Sequence, residues 1–343
     1  MKITPVSSYA VSQALRLQVA RAQAEMIKAQ KELVTLTVAD RGLHTGIRTG
    51  QSVALDRDIA RLSNIKDTNA LASSRMTASQ EAMGQMQEYA TKFMSTLTTS
   101  LGGSLHPGVL QAEASTMLSA MASAANTSIA GEFIFAGTNT DIKPLDDFLS
   151  PDSTLRPAIE ELFNDFRGTT EPQDLTPEQI DEFLVSLDDF MSNTTPSAWS
   201  NANDQGITSR IALNQTAQTS VTVNEIGVRQ FMTAAAAVLF LGEAGISSDA
   251  MKTVSDRAVA WTSAGMTQMT ASQATLGIVE ERVANASERL KMQIDLFTNM
   301  QRDMIGVDEF EAGTRLTALM AQADAALLLT NRIQQISLLK YLS

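Results

Sequence analysis

Proline is missing from residues 6–106 and again from 197–343. All eight prolines lie outside those two tracts, at positions 5, 107, 144, 151, 157, 172, 177 and 196. A proline inside a helix costs about 3 kcal/mol, so the two tracts are where long unbroken helices can form. Aromatic residues follow the opposite rule: eight of the 14 Phe and Trp fall between Phe133 and Trp199. The flanks are instead rich in Ala, Met, Gln, Ser and Thr. The pattern predicts two helical arms around a compact, aromatic-cored insert.

The N-terminal arm carries a heptad. Leu15, Val19, Ala22, Met26, Ala29, Leu33 and Leu36 alternate steps of four and three, which places them on one seam of a supercoiled helix. Glycines at 42, 46 and 50 interrupt it and predict a hinge. A second run starts near Gln51. Leu55, Ile59 and Leu62 lead in register to Met76, Met83, Ala90, Met94, Leu97 and Leu101, with Lys66, Asn69, Ser73, Gln80 and Gln87 at seam positions between them. Polar seam residues weaken a lone two-stranded coil and fit a bundle whose seam is only partly buried. Gly102, Gly103 and Pro107 end this helix, and a shorter one is expected from about Val109 to Ile129.

The C-terminal arm mirrors the first. Met269, Leu276, Val283, Leu290, Phe297 and Met304 recur every seven residues, each followed three residues later by a second seam position. A break at Gly306 precedes a last helix, expected from about Glu309 to Leu342. Leu316, Met320, Ala323 and Leu327 form one stripe on it, and Leu319, Ala326, Leu329, Ile333 and Ile336 an adjacent one. Chain ends usually stay polar, yet this one closes Ile336-Ser-Leu-Leu-Lys-Tyr-Leu-Ser343, with Leu338 and Leu339 inside it. Two amphipathic terminal helices can pair, and their surplus apolar surface then calls for neighbouring copies. The interface expected from the sequence comprises Leu15, Val19, Ala22, Met26, Leu33, Leu36, Leu316, Leu319, Met320, Leu327, Ile333, Ile336, Leu338 and Leu339.

Charge narrows the partners. The formal net charge is −12, and residues 141–190 hold 14 Asp and Glu against Lys143, Arg156 and Arg167. An acidic balance disfavours nucleic acid and anionic membrane, which both need a cationic face. The run Phe231–Leu241 is too short to span a bilayer, and the opening Met1-Lys-Ile-Thr-Pro5 lacks the apolar core of a secretory signal. The absence of cysteine excludes disulfide frameworks and thiolate chemistry. His44 and His106 each sit beside or near glycine without a partner at metal-binding spacing, and they read as loop histidines. Glu160-Glu161, Asp181-Glu182 and Asp188-Asp189 are adjacent pairs on expected helices. Their side chains point about 100° apart and do not converge as acid and base. No cofactor, metal or catalytic residue is expected, and an enzyme sited in the acidic insert has no motif behind it.

Two strings resemble the bacterial flagellin family. One is Ala125-Asn-Thr-Ser-Ile-Ala-Gly-Glu-Phe-Ile-Phe-Ala-Gly-Thr-Asn-Thr140, similar to that family's helix end followed by a hairpin. The other runs from Gly306-Val-Asp-Glu-Phe-Glu-Ala-Gly-Thr-Arg-Leu316 through Ala326–Ile333 to Leu338-Leu-Lys-Tyr-Leu342, similar to its C-terminal helix. With the N-terminal heptad the likeness covers about two thirds of the chain, and 141–225 carries no motif of the family. The start, Met1-Lys-Ile-Thr-Pro-Val-Ser-Ser8, lacks the Asn-rich opening of filament subunits, which brings the sequence closer to the hook-associated members at the hook–filament junction. The stretch Gly42–Gly50 departs from the family's usual Gly-Lys-Arg-Ile segment.

The resemblance implies a non-enzymatic structural subunit of the bacterial flagellum that joins hook to filament by axial helix packing. It implies export through the flagellar type III apparatus without a cleaved signal, and hence an extracellular location. It also implies self-assembly into a ring between a neighbouring hook-associated protein and flagellin, and a flagellar export chaperone. A filament flagellin and a cytosolic coiled-coil signalling adaptor are the alternative readings. The expected fold is mainly α, a long antiparallel helical bundle or coiled-coil rod from both chain ends with a small α/β insert. Its expected domains are a terminal coiled coil (1–42 and 306–343), a helical rod with a hairpin (43–140 and 226–305) and an acidic outward-facing insert (141–225). Within the insert, helices are expected near 155–167 and 177–192, with Phe163, Phe166, Phe183 and Phe190 in its core. Strands are expected near 132–136, 197–200 and 218–223.

Overall fold

The computed structural model describes residues 8–103, 107–151, 153–193 and 199–342; for 8–12, 15, 107, 193 and 333–342 it describes the backbone alone. The chain is mainly α. Its helices are α1 (Ser8–Thr35), α2 (Arg41–Thr45), α3 (Thr49–Leu101), α4 (Pro107–Ala125), α5 (Leu155–Arg167), α6 (Pro177–Asn193), α7 (Ile226–Ala244), α8 (Ser248–Ile305) and α9 (Glu309–Leu342). The strands are β1 (Ser128–Ile129), β2 (Glu132–Phe133), β3 (Thr208–Ala212) and β4 (Gln215–Gln218). The two proline-free tracts hold the long helices, α3 with 53 residues and α8 with 58.

Local chemistry sets many of the boundaries. Pro107 and Pro177 stand first in their helices, where the missing N–H costs nothing. Thr176 and Gln179 form a reciprocal capping box at the start of α6, at 3.0 and 3.3 Å. At the start of α9, Asp308 Oδ1 accepts from the amides of Phe310 and Glu311 at 2.8 and 3.1 Å.

Two compact units emerge, one of residues 1–63 with 291–343, the other of 64–290. The divisions fall inside α3 and α8, and residues 141–225 fall within the larger unit. The insert helices share one continuous core with α3, α4, α7 and α8. In that core Phe163 stacks edge-on against Phe183 at 5.0 Å and against Phe240 of α7 at 5.5 Å. Arg156 pairs with Glu243 and Arg257 with Asp181, each at 2.6 Å, tying α5 to α7 and α6 to α8. The aromatic cluster expected in the core of the insert extends into the helical body.

The run Phe231–Leu241 forms the middle of α7. That helix is long and apolar enough to cross a membrane by length and composition, but twelve of its 19 residues are buried within the larger unit, as in a core helix. It packs along α4 and is crossed closely by α8 at one place. The backbone passes so near at Gly227 and Gly265 that a Cβ at Gly265 would lie 2.8 Å from two ring carbons of Phe231 and 3.0 Å from the Gly227 carbonyl oxygen.

The polar seam of α3 is resolved by antiparallel pairing with α8. Asn69 Nδ2 donates to Ser287 Oγ at 3.1 Å and to the Ile211 carbonyl at 2.9 Å. Thr77 Oγ1 donates to Glu280 at 2.9 Å, Gln80 Nε2 to the Gln273 carbonyl at 2.8 Å, and Gln87 Nε2 to Thr270 Oγ1 at 3.0 Å. Between these rungs Met76, Met83, Ala90, Met269, Leu276 and Val283 are buried. At Asn69, Gln80 and Gln87 the side-chain amide N–H groups thus find acceptors on the facing helix, while Asn69 Oδ1 stays buried without a partner. A buried pair of this kind fixes register at some cost in stability.

Some expected elements differ. Helix α4 stops at Ala125, and Ile129 belongs to strand β1. Ala130 and Gly131 make the tight turn to β2 with φ of 54° and 86°. The expected strand at 132–136 is a regular strand only at 132–133. Beyond it, the Ala136 carbonyl accepts from Asn203 N, and Phe135 O accepts from Val223 N. Of the strand expected at 218–223, Gln218 ends β4 and 219–223 form a buried segment with a single bridge, Thr222 to Ala136; the hairpin lies upstream at 208–218. β-Branched residues favour any extended buried backbone, and they do not by themselves mark a ladder. Of the strand expected at 197–200, residues 197 and 198 lie outside the described residues, and Trp199 and Ser200 are not in a strand.

Candidate assembly interface

The smaller unit is built around the pairing of the first and last long helices. Helices α1 and α9 run close enough to bring their Cα atoms within 8 Å of each other at many positions. Among the described residues, the fully buried apolar ones along them are alanines: Ala22 and Ala29 on α1, Ala312, Ala323 and Ala326 on α9. Alanine permits close helix approach but buries little apolar area. The larger side chains on the same helices remain partly or largely uncovered.

Val19, Met26 and Leu33 on α1 are half-buried, as are Leu316 and Leu319 on α9. Met320 and Leu327 are 50% and 47% exposed. Ala22 is buried. Leu36 does not continue the seam: α1 stops at Thr35 and Leu36 takes the left-handed conformation, φ 52°, with its side chain exposed. The side chains of Leu15, Ile333, Ile336, Leu338 and Leu339 lie outside the described residues, although each position falls on a helical backbone. Leu329 of the second expected stripe is exposed, and further exposed apolar residues outside the expected stripes are Leu17, Ile27 and Val34 on α1 and Phe310 and Leu328 on α9. Phe310, at 85% exposure in the first turn of α9, is the largest of these. Leu17, Ile27, Val34, Phe310 and Leu328 stand outside the heptad positions because they flank the expected stripes.

The links between helices are held together by a short backbone ladder. The Val38 amide donates to the Ile305 carbonyl at 2.9 Å, the Val307 amide donates to the Leu36 carbonyl at 3.1 Å, and Thr37 bridges Gly306. Beside this ladder Glu32 is, among the described residues, the one charged side chain that is buried, at 8% exposure. Its Oε1 accepts from the Ala39 amide at 3.0 Å and its Oε2 from Arg315 Nη1 at 3.3 Å. Arg315 also reaches Glu25 at 3.5 Å, and Glu25 pairs with Lys28 at 2.8 Å. The hydrogen bond from Lys28 holds the exposed Glu25 carboxyl below its ordinary range, and the same contact raises Lys28.

These side chains line an open cleft of about 560 Å³ together with Asp40, His44, Asp308 and Glu311. Neither Glu32 nor Arg315 stands out in the sequence reading. The usable signal is that Glu32 directly precedes seam residue Leu33, at a flanking position from which charges reach a partner helix.

Nothing in this arrangement resembles a catalytic constellation. Among the described residues no three His, Cys, Asp or Glu side chains are grouped so as to hold a metal. His44 is exposed and His106 lies outside the described residues. The insert carboxylates Glu160, Glu161, Glu182 and Asp189 face solvent, and Asp181 is taken up by Arg257.

Comparison with known proteins places this geometry. The bacterial flagellin N-terminal helical region matches residues 6–140, and the bacterial flagellin C-terminal helical region matches 259–342. Comparison with curated protein sequences gives no match. Among solved structures, the fold is similar to that of a putative flagellar hook-associated protein from Vibrio parahaemolyticus, with a TM-score of 0.53 and 12% identity over 75% of this chain and 97% of that one. At that identity the likeness concerns the fold. The two family regions together cover well over half the sequence and contain both helices of the α1–α9 pair, and the chain belongs to the bacterial flagellin family.

Proposed function

We propose that this flagellin-family protein is the structural subunit that joins hook to filament, assembling into a short ring by axial packing of its terminal helices. The family is structural and non-enzymatic. The observation that carries the assembly reading is the α1–α9 pair: it buries alanines within one chain and leaves Ile27, Val34, Met320, Leu327 and Leu328 uncovered. An exposed apolar surface of this kind is an association site. The two unlike faces it would meet in a junction are a neighbouring hook-associated protein and flagellin. The non-Asn-rich start of the chain and the solved hook-associated structure of the same fold favour this branch over a filament subunit. The reading also entails export without a cleaved signal and a chaperone that covers α9 before export.

Fluorescent labelling of the protein in intact flagella tests the reading. One spot per flagellum at the proximal end of the filament is the expected result. Label along the whole filament would make the protein a filament flagellin, and absence from sheared flagella would return it to the cytosolic adaptor reading. Purified protein offered filament seeds should stay monomeric or form short rings, and growth of long filaments would contradict the junction role.

A further inference from the structure

The α1–α9 pair poses a physical problem that its own contacts do not solve. Among the described residues its fully buried apolar side chains are alanines and the larger ones are at most half-buried, so the described contact fixes one helix against the other with little apolar area. Hydrophobic contact through small side chains also tolerates sliding, because neighbouring alanines are nearly equivalent. Something else must set the register of the first helix on the last.

We propose that Glu32 is a latch that sets that register by tying the link that follows α1 to helix α9. Its carboxylate gives one oxygen to each. Oε1 takes the Ala39 amide, fixing the segment that leaves α1, and Oε2 takes Arg315, two turns into α9. The ladder of Val38 to Ile305 and Val307 to Leu36 lies alongside. Charge-assisted bonds are directional, which alanine contacts are not.

Gly306 completes the node: a Cβ there would collide with the Arg302 carbonyl oxygen, so the crossing strand must be glycine. The left-handed Leu36 turns the chain so that its carbonyl meets Val307. A register fixed in this way keeps the exposed apolar residues of α1 and α9 in one fixed arrangement before any neighbour arrives. This last consequence rests on the assembly reading; the latch itself does not.

Hydrogen exchange on the full-length protein, read by mass spectrometry at peptide level, separates the two. With Glu32→Ala, the segments spanning 36–39 and 305–307 should exchange roughly tenfold faster, as expected when a charge-assisted node opens locally. Segments 76–90 and 269–283 should keep their protection and so report that the chain is folded. Glu32→Gln preserves an acceptor for the Ala39 amide and should recover protection at 36–39 while α9 near Arg315 stays loosened, a split that loss of bulk packing would not give. Arg315→Ala should reproduce the α9 effect alone.

Unchanged exchange at both links in Glu32→Ala would overturn the latch, as would Glu32→Gln behaving like Glu32→Ala at 36–39. Loss of protection at 76–90 as well would also overturn it, because Glu32 would then support the whole chain. If the exchange results hold but the protein labels whole filaments, the latch stands and the junction reading fails.

Discussion

The crossing of α7 over α8 supports a prediction in which two glycine-to-alanine changes on one helix move stability in opposite directions. Gly265 and Gly277 both lie inside α8. In an open position, replacing a helical glycine by alanine stabilises by about 1 kcal/mol, because glycine is the more flexible residue in the unfolded chain. At Gly277 the nearest atom to an added Cβ is Gln80 Nε2 at 3.8 Å, an ordinary contact, so Gly277→Ala should gain most of that amount. At Gly265 the Cβ would sit 2.8 Å from Cδ1 and Cε1 of Phe231, which is fully buried, and 3.0 Å from a backbone carbonyl on the facing helix.

Neither neighbour can turn aside, so the helices must part. Overpacking of this kind costs about 1–3 kcal/mol. The net for Gly265→Ala is a loss of about 1 kcal/mol, and the two variants should differ by roughly 2 kcal/mol. Urea unfolding followed by far-UV circular dichroism would show the midpoint moving up for Gly277→Ala and down for Gly265→Ala. If Gly265→Ala proved as stable as Gly277→Ala, the close approach of α7 to α8 would be misplaced.

Asn69→Ala should destabilise the larger unit by about 1–3 kcal/mol, since it removes both the Ile211 and Ser287 contacts and leaves a buried carbonyl without its donor; an unfolding midpoint unchanged from wild type would show that these bonds are not made. The pairs Glu25–Lys28 and Glu88–Lys92 depress each carboxyl and raise each amine. Their small stabilisation is present above the unfolded carboxyl pKa, is lost as pH falls through the depressed folded value, and is lost again at high pH as each lysine deprotonates. Glu25→Gln with Glu88→Gln should therefore flatten the acid limb of the thermal-midpoint profile at low salt, and an acid limb identical to wild type would contradict the pairing. Deleting 310–343 should abolish incorporation into flagella while near-UV circular dichroism of the larger unit persists; a truncated protein that still joined hook to filament would remove α9 from the mechanism.

The arms were legible because helix periodicity and proline exclusion act locally. The start of α9 at Glu309 follows from Gly306 and the Asp308 cap, and the ends of α3 follow from glycines and Pro107. Helices α5 and α6 were equally readable from their spaced phenylalanines. What the sequence hid is tertiary. Nothing in Phe163 or Phe183 announces that the third ring of their cluster is Phe240, 57 residues beyond Phe183, and so the insert looked independent. The hairpin at 208–218 was missed because Thr219–Val223 is the more β-branched run, although its residues are buried as an extended strap bearing one bridge. Glu32 looked like any surface glutamate in a helix with many charges. Its role depends on Ala39, in the link that follows α1, and on Arg315, two turns into α9, meeting at a place no periodicity encodes.

The two units place their polar and apolar groups in opposite ways, and the contrast follows from which contacts are complete in a single chain. In 64–290 the helix faces find their partners internally. Seam glutamines and Asn69 meet matching groups, glycines let α7 sink onto α8, and aromatic rings close the remaining space. Every such contact is specific, so this unit can fold to one register alone. In the unit of 1–63 and 291–343 the fully buried apolar residues of the α1–α9 contact are, among the described residues, alanines, and the bulky residues are half-buried or exposed. A seam of leucines between α1 and α9 would hold the pair more firmly, but would leave less apolar surface for a neighbour. Weak burial within the chain and strong burial between chains are then one design choice. It is workable only if register is set by something other than area, and the buried Glu32 carboxylate beside two crossing backbone bonds is the group placed to do that.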